Sequence, residues 1–124
     1  MNLPDDQEGR LRCYSNVLRN EASRLVARDP DYVVFKERAQ AEVQECLAEY
    51  TLRQICRILH EYVEGGGRID EQVETRQEYL HRRFHYDLRV RIGGRYIYFE
   101  TVLDFEDADD VDDLTIVVVR VKDV

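Results

Sequence analysis

The segment HYDLRVRIGGRYIYFETVL, His85 to Leu103, constrains this chain more than any other. Apolar Tyr86, Leu88, Val90 and Ile92 alternate with Asp87, Arg89 and Arg91, the period of two of a half-buried strand. Gly93-Gly94 then supplies the positive φ angles of a two-residue hairpin turn, and an antiparallel partner comes next. That turn sets the register. Val90 faces Ile97 and Leu88 faces Phe99 on the core side, while Arg91 faces Tyr96, Arg89 faces Tyr98 and Asp87 faces Glu100 on the other.

Upstream the period changes to that of helices. Residues 1–9 read as a frayed tail. From Gln7 to Arg28, Leu11, Tyr14, Leu18, Ala22 and Leu25 recur at spacings of three and four, an amphipathic helix ended by Asp29-Pro30. The run DYVVF, residues 31–35, fits a strand or an extended connector. KERAQAEVQECLAEY, residues 36–50, is a second helix with Ala39, Val43, Cys46, Leu47 and Tyr50 on one face. A third begins at Thr51, an N-cap whose capping box is completed by Gln54. Its stripe is Leu52, Ile55, Cys56, Leu59 and Val63, and Gly65-Gly66-Gly67 stops it. Residues 68–84 fit either a strand and loop or a short polar helix. LTIVVVRVKDV, residues 114–124, is a last, well-buried strand. With Val117, Val119 and Val121 facing the core, Arg120 points to the same side as Arg89 and Arg91.

The expected architecture is α+β: two or three N-terminal helices packed on one face of a three- to four-stranded antiparallel sheet. It forms a single domain over 1–124, with an N-terminal helix at 10–28, an α+β core at 32–124 and an acidic loop at 104–113. At 124 residues such a chain buries a core without metal or disulfide staples. No apolar run approaches the ~20 residues that span a bilayer, so no membrane partner is expected. MNLPDDQEGR lacks the basic start and apolar stretch of a signal peptide. Cys13, Cys46 and Cys56 are an odd set with no CxxC pair, which reads as reduced thiols in a cytoplasmic protein. His60, His81 and His85 share no metal-ligand spacing, so neither a metal nor another cofactor is expected.

The net charge of −8 argues against a nucleic-acid partner only until it is located along the chain. DFEDADDVDD, residues 104–113, carries seven acids and no base; without it 19 acids face 18 bases. Arg82, Arg83, Arg89, Arg91 and Arg95 cluster around the hairpin against Asp87 alone. Local fields therefore matter more than the total. Sixteen of the 18 bases are Arg, whose fork suits bidentate contacts to phosphate or carboxylate.

The polar face of the hairpin gathers the candidate site: His85, Arg89, Arg91, Tyr96, Tyr98 and Glu100, with Arg120 from the last strand. These are the groups that metal-independent cleavage of RNA requires. A carboxylate or His takes the 2′-hydroxyl proton, Arg stabilises the charged phosphorane, and a second acid protonates the leaving oxygen. Tyrosines stack bases. The competing explanation is ordinary cross-strand pairing, worth ~0.2–1 kcal/mol a pair. Asp87 opposite Glu100 escapes that explanation, because like charges directly opposite destabilise a sheet. A neighbouring Arg, a protonated carboxylate or a bound cation would each resolve it, and an Arg is the simplest. The acidic loop is not a calcium loop, since its sixth position is Asp109 where an EF-hand needs Gly. It reads as a solvated connection, or as a docking element for a basic partner.

From Val33 onward the pattern resembles small prokaryotic domains related to RelE-like and barnase-like toxins. VVFKERAQAEV is similar to their opening strand and first helix, EYTLRQICRILHEYVEGG to the second helix, and HYDLRVRIGGRYIYFETVL with LTIVVVRVKDV to their strand meander. The resemblance covers residues 32–124. It implies ribonuclease activity, an RNA substrate and a cognate antitoxin, and it carries over to Arg89, Arg91, Tyr98, Glu100 and Arg120. Such domains often bear a His early in the first helix, where this chain has Arg38. The alternative is a non-enzymatic, antitoxin- or immunity-like interaction domain that docks through the acidic loop and outer sheet face. The stripe of the N-terminal helix is also compatible with a homodimer.

Overall fold

The computed structural model describes residues 3–25, 31–77, 83–105 and 114–124. Its elements are α1 (Gln7–Ala22), β1 (Val33–Phe35), α2 (Glu37–Cys46), α3 (Leu52–Glu64), β2 (Asp70–Val73), β3 (Phe84–Ile92), β4 (Arg95–Phe105) and β5 (Leu114–Asp123). The class is α+β, but the sheet has five strands, in the order β1-β5-β4-β3-β2. It is mixed, because β1 runs parallel to β5 while every other pair is antiparallel. The expected count of three to four antiparallel strands is corrected on both points. Val33–Phe35 of DYVVF form a strand, and Asp70–Val73 form another.

The hairpin matches its expected register from Arg91↔Tyr96 to Asp87↔Glu100. Gly93 and Gly94 have φ of 60° and 82°, the values that turn demands. On one side Tyr86, Leu88, Val90, Ile97 and Phe99 join Ile116, Val118 and Val121, and the helices contribute Tyr14, Val17, Leu18, Ala39, Val43, Ile55 and Leu59. α3 is capped as expected, with Thr51 Oγ1 accepting from Gln54 N–H and Gln54 Oε1 accepting from Thr51 N–H. α1 ends at Ala22 rather than near Arg28, and Leu25 is 89% exposed. The Asp29-Pro30 stop lies outside the described residues.

The last strand departs from a simple alternation. Glu100 pairs with Arg120, but Thr101 pairs with Val118, so Val119 is an extra residue in β5. Such a bulge shifts the faces beyond it. Val121, Val118 and Ile116 face the helices, whereas Val117 and Val119 lie with Val102 in a separate apolar cluster. The expectation that Val117, Val119 and Val121 share the core face is therefore right for Val121 alone. β1 covers the edge of β5 only as far as Val118. Past that point the Glu42 carboxylate of α2 accepts the Val121 N–H at 2.9 Å, which satisfies an edge donor that would otherwise invite another strand.

A buried polar network fastens α1 to the sheet. Arg10 donates from Nε and Nη2 to the two Glu71 carboxylate oxygens, both at 2.7 Å, and from Nη1 to the carbonyls of Pro4 and Asp5. Tyr86 Oη donates to Glu71 at 3.0 Å. Thr101 Oγ1 gives its proton to the Tyr86 carbonyl and so accepts from Tyr14 Oη. The described part of the first nine residues is thus tied down and not a frayed tail: Asp6 caps α1 through the Gly9 N–H, and Leu3 packs on the core. Arg10 first of all, and Tyr86 after it, hold the Glu71 carboxyl below its ordinary range, against the opposing pull of burial. Removing one partner of a buried pair leaves an uncompensated charge. Arg10→Ala is therefore expected to destabilise the fold by about 3–5 kcal/mol in urea unfolding. A loss of less than about 1 kcal/mol, the scale of an exposed pair, would contradict this account.

Candidate functional site

The hairpin register brings like charges together across the polar face. Asp70 of β2 is opposite Asp87, Asp87 is opposite Glu100, and Glu100 is opposite Arg120. Three carboxylates thus lie in one row across three strands, where opposed acids repel. Each is answered by a different donor. Arg68 Nε reaches Asp70 at 2.6 Å. Asp87 Oδ1 accepts from Tyr98 Oη at 2.9 Å and stands 3.1 Å from His85 Nδ1. Arg76 Nη2 is ion-paired to the buried Glu100 Oε2 at 2.5 Å. An Arg neighbour does resolve the opposed acids, and it comes from the stretch after β2.

Arg76 is itself positioned by Glu74. Nε and Nη2 of Arg76 make a fork to the two oxygens of Glu74 at 2.9 and 3.0 Å, and the Arg76 N–H adds a third bond. The Glu74 side chain is 1% exposed. Its backbone N–H continues the sheet by bonding the Arg83 carbonyl. Hydrogen bonding from Arg76 lowers the Glu74 carboxyl from 4.5 to about 2, and the guanidinium is correspondingly held charged.

His85, Asp87 and Glu100 present atoms that all lie within 4.8 Å of one another. An ionised Asp87 only accepts, so Nδ1 is the donating nitrogen of His85 in this contact, whether the ring carries one proton or two. Burial first, and then the bond to Asp87, raises the Tyr98 hydroxyl well above its ordinary range and keeps it a neutral donor. Imidazole and carboxylates at this spacing are also ligand types that a divalent cation takes. That set carries no histidine spacing in the sequence, because two of its members are acids. Against Glu100, the cationic partner is already Arg76.

Of the sequence candidates, the fold brings His85, Tyr98 and Glu100 into one cluster with Asp87. The guanidinium of Arg89 stands 6.0 Å from the Tyr98 ring centroid, at the cluster's rim. Arg91 is exposed and pairs with Tyr96 nearer the turn, away from the cluster. Arg120 is held at the β5 edge by Glu42, with Nε 3.1 Å from both oxygens and Nη2 2.9 Å from Oε2. Burial pulls the Glu42 carboxyl upward, but the bonds from Arg120 and the Val121 N–H outweigh it and the net shift is downward. His81, Arg82 and all of the acidic loop beyond Phe105 lie outside the described residues. Glu74 and Arg76 were missed by sequence reasoning, and the one signal that could have found them was the unexplained opposition of Asp87 and Glu100.

Compared with protein-family models, with curated proteins and with solved structures, the chain matches none. Among the described residues no helix is long and apolar enough to cross a membrane.

The Glu74 shift has a pH consequence of definite sign. Its folded-state value lies below the ordinary one, so its contribution is complete above about pH 4.5 and is lost as the pH falls towards about 2. Glu74→Gln is expected to be less stable than wild type at neutral pH. The gap in chemical-unfolding midpoints should close across that acid window, and a gap independent of pH would contradict the assignment.

Proposed function

We propose that the polar face of the sheet cleaves RNA by metal-independent acid–base catalysis, as a ribonuclease. The observation that carries this reading is the convergence of His85, Asp87 and Glu100 within 4.8 Å, with the Arg76 guanidinium against Glu100. Glu100, paired with Arg76, accepts the proton of a ribose 2′-hydroxyl, and the freed oxygen attacks the adjacent phosphorus. The bond from phosphorus to the 5′-oxygen breaks, and His85, protonated on both nitrogens and steadied at Nδ1 by Asp87, gives its Nε2 proton to that oxygen. The products are a 2′,3′-cyclic phosphate and a free 5′-hydroxyl; proton exchange with water restores both groups. Arg76 supplies positive charge where the phosphorane develops its negative charge. Tyr98 fixes Asp87 and, with Arg89 beside its ring, offers a surface for a base.

The chain's acidic balance does not oppose this reading, since seven of its acids lie in residues 104–113. Phosphate contacts weaken with salt, so the assay belongs at low ionic strength. Wild type is expected to cleave single-stranded RNA, and Glu100→Gln and His85→Ala each to lose about 10²–10⁴ in rate while still folding cooperatively. Intact RNA with wild type, or undiminished cleavage by Glu100→Gln, would overturn the reading.

A further inference from the structure

Beside the cluster, between α2 and the free edge of β5, lies a cleft of about 600 Å³ lined by Lys36, Glu37, Arg38, Ala41, Arg76, Val119 and Arg120. Four of these seven side chains are cations and one is an anion. From this we infer that the cleft is a phosphate-binding subsite that holds the backbone of a single-stranded RNA next to Glu100. The choice of RNA as the bearer of the phosphate rests on the cleavage reading; the attraction for phosphate rests on the cleft alone.

Two kinds of cation line it. Arg76 and Arg120 are forked onto carboxylates that stand behind them, Glu74 and Glu42, and Arg76 also meets Glu100. Those three carboxylates offset the charge of the two guanidiniums and fix both groups in place. A guanidinium held in this way loses little conformational freedom when it takes up a phosphate oxygen. Lys36 and Arg38 are different. Both are exposed, and neither makes an ion pair or a side-chain hydrogen bond among the described residues. They are the cleft's cations without a salt-bridge partner among the described residues, with Glu37 between them in the lining. Lys36 is also the N-cap of α2, and no side chain caps that helix, so the orphan N–H groups of its first turn open beside the same cations.

The position links the subsite to the chemistry. Arg76 is at once a wall of the cleft and the ion-pair partner of Glu100. Arg120, opposite Glu100 in the sheet, is the other shared element. The bulge at Val119 turns this part of β5, which brings Val119 and Arg120 into the cleft lining. A strand running from the cleft past Arg76 carries the next phosphodiester to the His85–Asp87–Glu100 cluster.

The test uses the full chain and three probes: inorganic pyrophosphate, an uncleavable 2′-deoxy oligonucleotide, and poly-glutamate as an anion without phosphate. Pyrophosphate and the oligonucleotide are expected to shift the amide resonances of residues 36–39, 119 and 120, with poly-glutamate binding far more weakly. In the Lys36→Ala/Arg38→Ala double variant, oligonucleotide affinity should fall about tenfold or more. The salt slope of log Kd should also become shallower by about one to two. Both side chains are exposed, so the variant should keep the wild-type unfolding midpoint. Unchanged affinity in the double variant, shifts confined to another surface, or equal binding of poly-glutamate would overturn the subsite. Oligonucleotide binding in the cleft without RNA cleavage would support the subsite and defeat the ribonuclease reading. Cleavage with an unchanged KM in the double variant would do the reverse.

Discussion

Repulsion along one row of the sheet governs this structure. Asp70, Asp87 and Glu100 occupy paired positions on β2, β3 and β4, an arrangement that by itself opposes the pairing of those strands. It persists because each carboxylate has acquired its own donor, and the donors come from different parts of the chain. Arg76 matters most. It must stand over a Glu100 that is 8% exposed, and it is kept there by Glu74, which is more deeply buried still. A cluster of this kind concentrates charge, a proton-carrying ring and a fixed cation on one small surface, the raw material of acid–base chemistry.

The opposite face of the same strands explains why Arg76 is available. Glu71, one residue along β2 from Asp70, points to the helices and is clamped by Arg10 and Tyr86. That clamp fixes a short, polar edge strand that has little apolar burial of its own; Val73 is 69% exposed. With β2 in place, the chain leaves it at Glu74 and delivers Arg76 across the polar face. The Tyr14–Thr101–Tyr86 chain of hydrogen bonds secures β3 and β4 beside the bulge in the same way. Buried ion pairs are weak contributors to net stability, and here their value lies in placing β2 and, through it, Glu74 and Arg76.

Local patterns were legible in the sequence, and long-range ones were not. The hairpin register came from Gly93-Gly94 and the alternation of Leu88, Val90, Ile97 and Phe99, since a two-residue turn leaves no freedom in pairing. The capping box of Thr51 and Gln54 was equally readable, because all its atoms lie within one turn. β1 stayed open between strand and connector because DYVVF pairs with a strand some eighty residues away, in parallel, and no local feature announces such a partner. β2 stayed open between strand and helix because DEQV does not alternate in polarity; its inward residue is Glu71, which is satisfied by an arginine from α1. The bulge at Val119 reversed the expected faces of Val117 and Val119, as a single extra residue must. Half of the candidate site was therefore visible, and the missing half was foreshadowed only by the misfit of Asp87 and Glu100.

The chemical ends of cleaved RNA test the central claim most directly. With single-stranded RNA at low ionic strength and excess EDTA, mass spectrometry of the wild-type products should find 2′,3′-cyclic phosphate on one fragment and 5′-hydroxyl on the other. Fragments ending in 3′-hydroxyl and 5′-phosphate, or RNA left whole, would contradict a site in which Glu100 and His85 exchange protons with the ribose and the leaving oxygen.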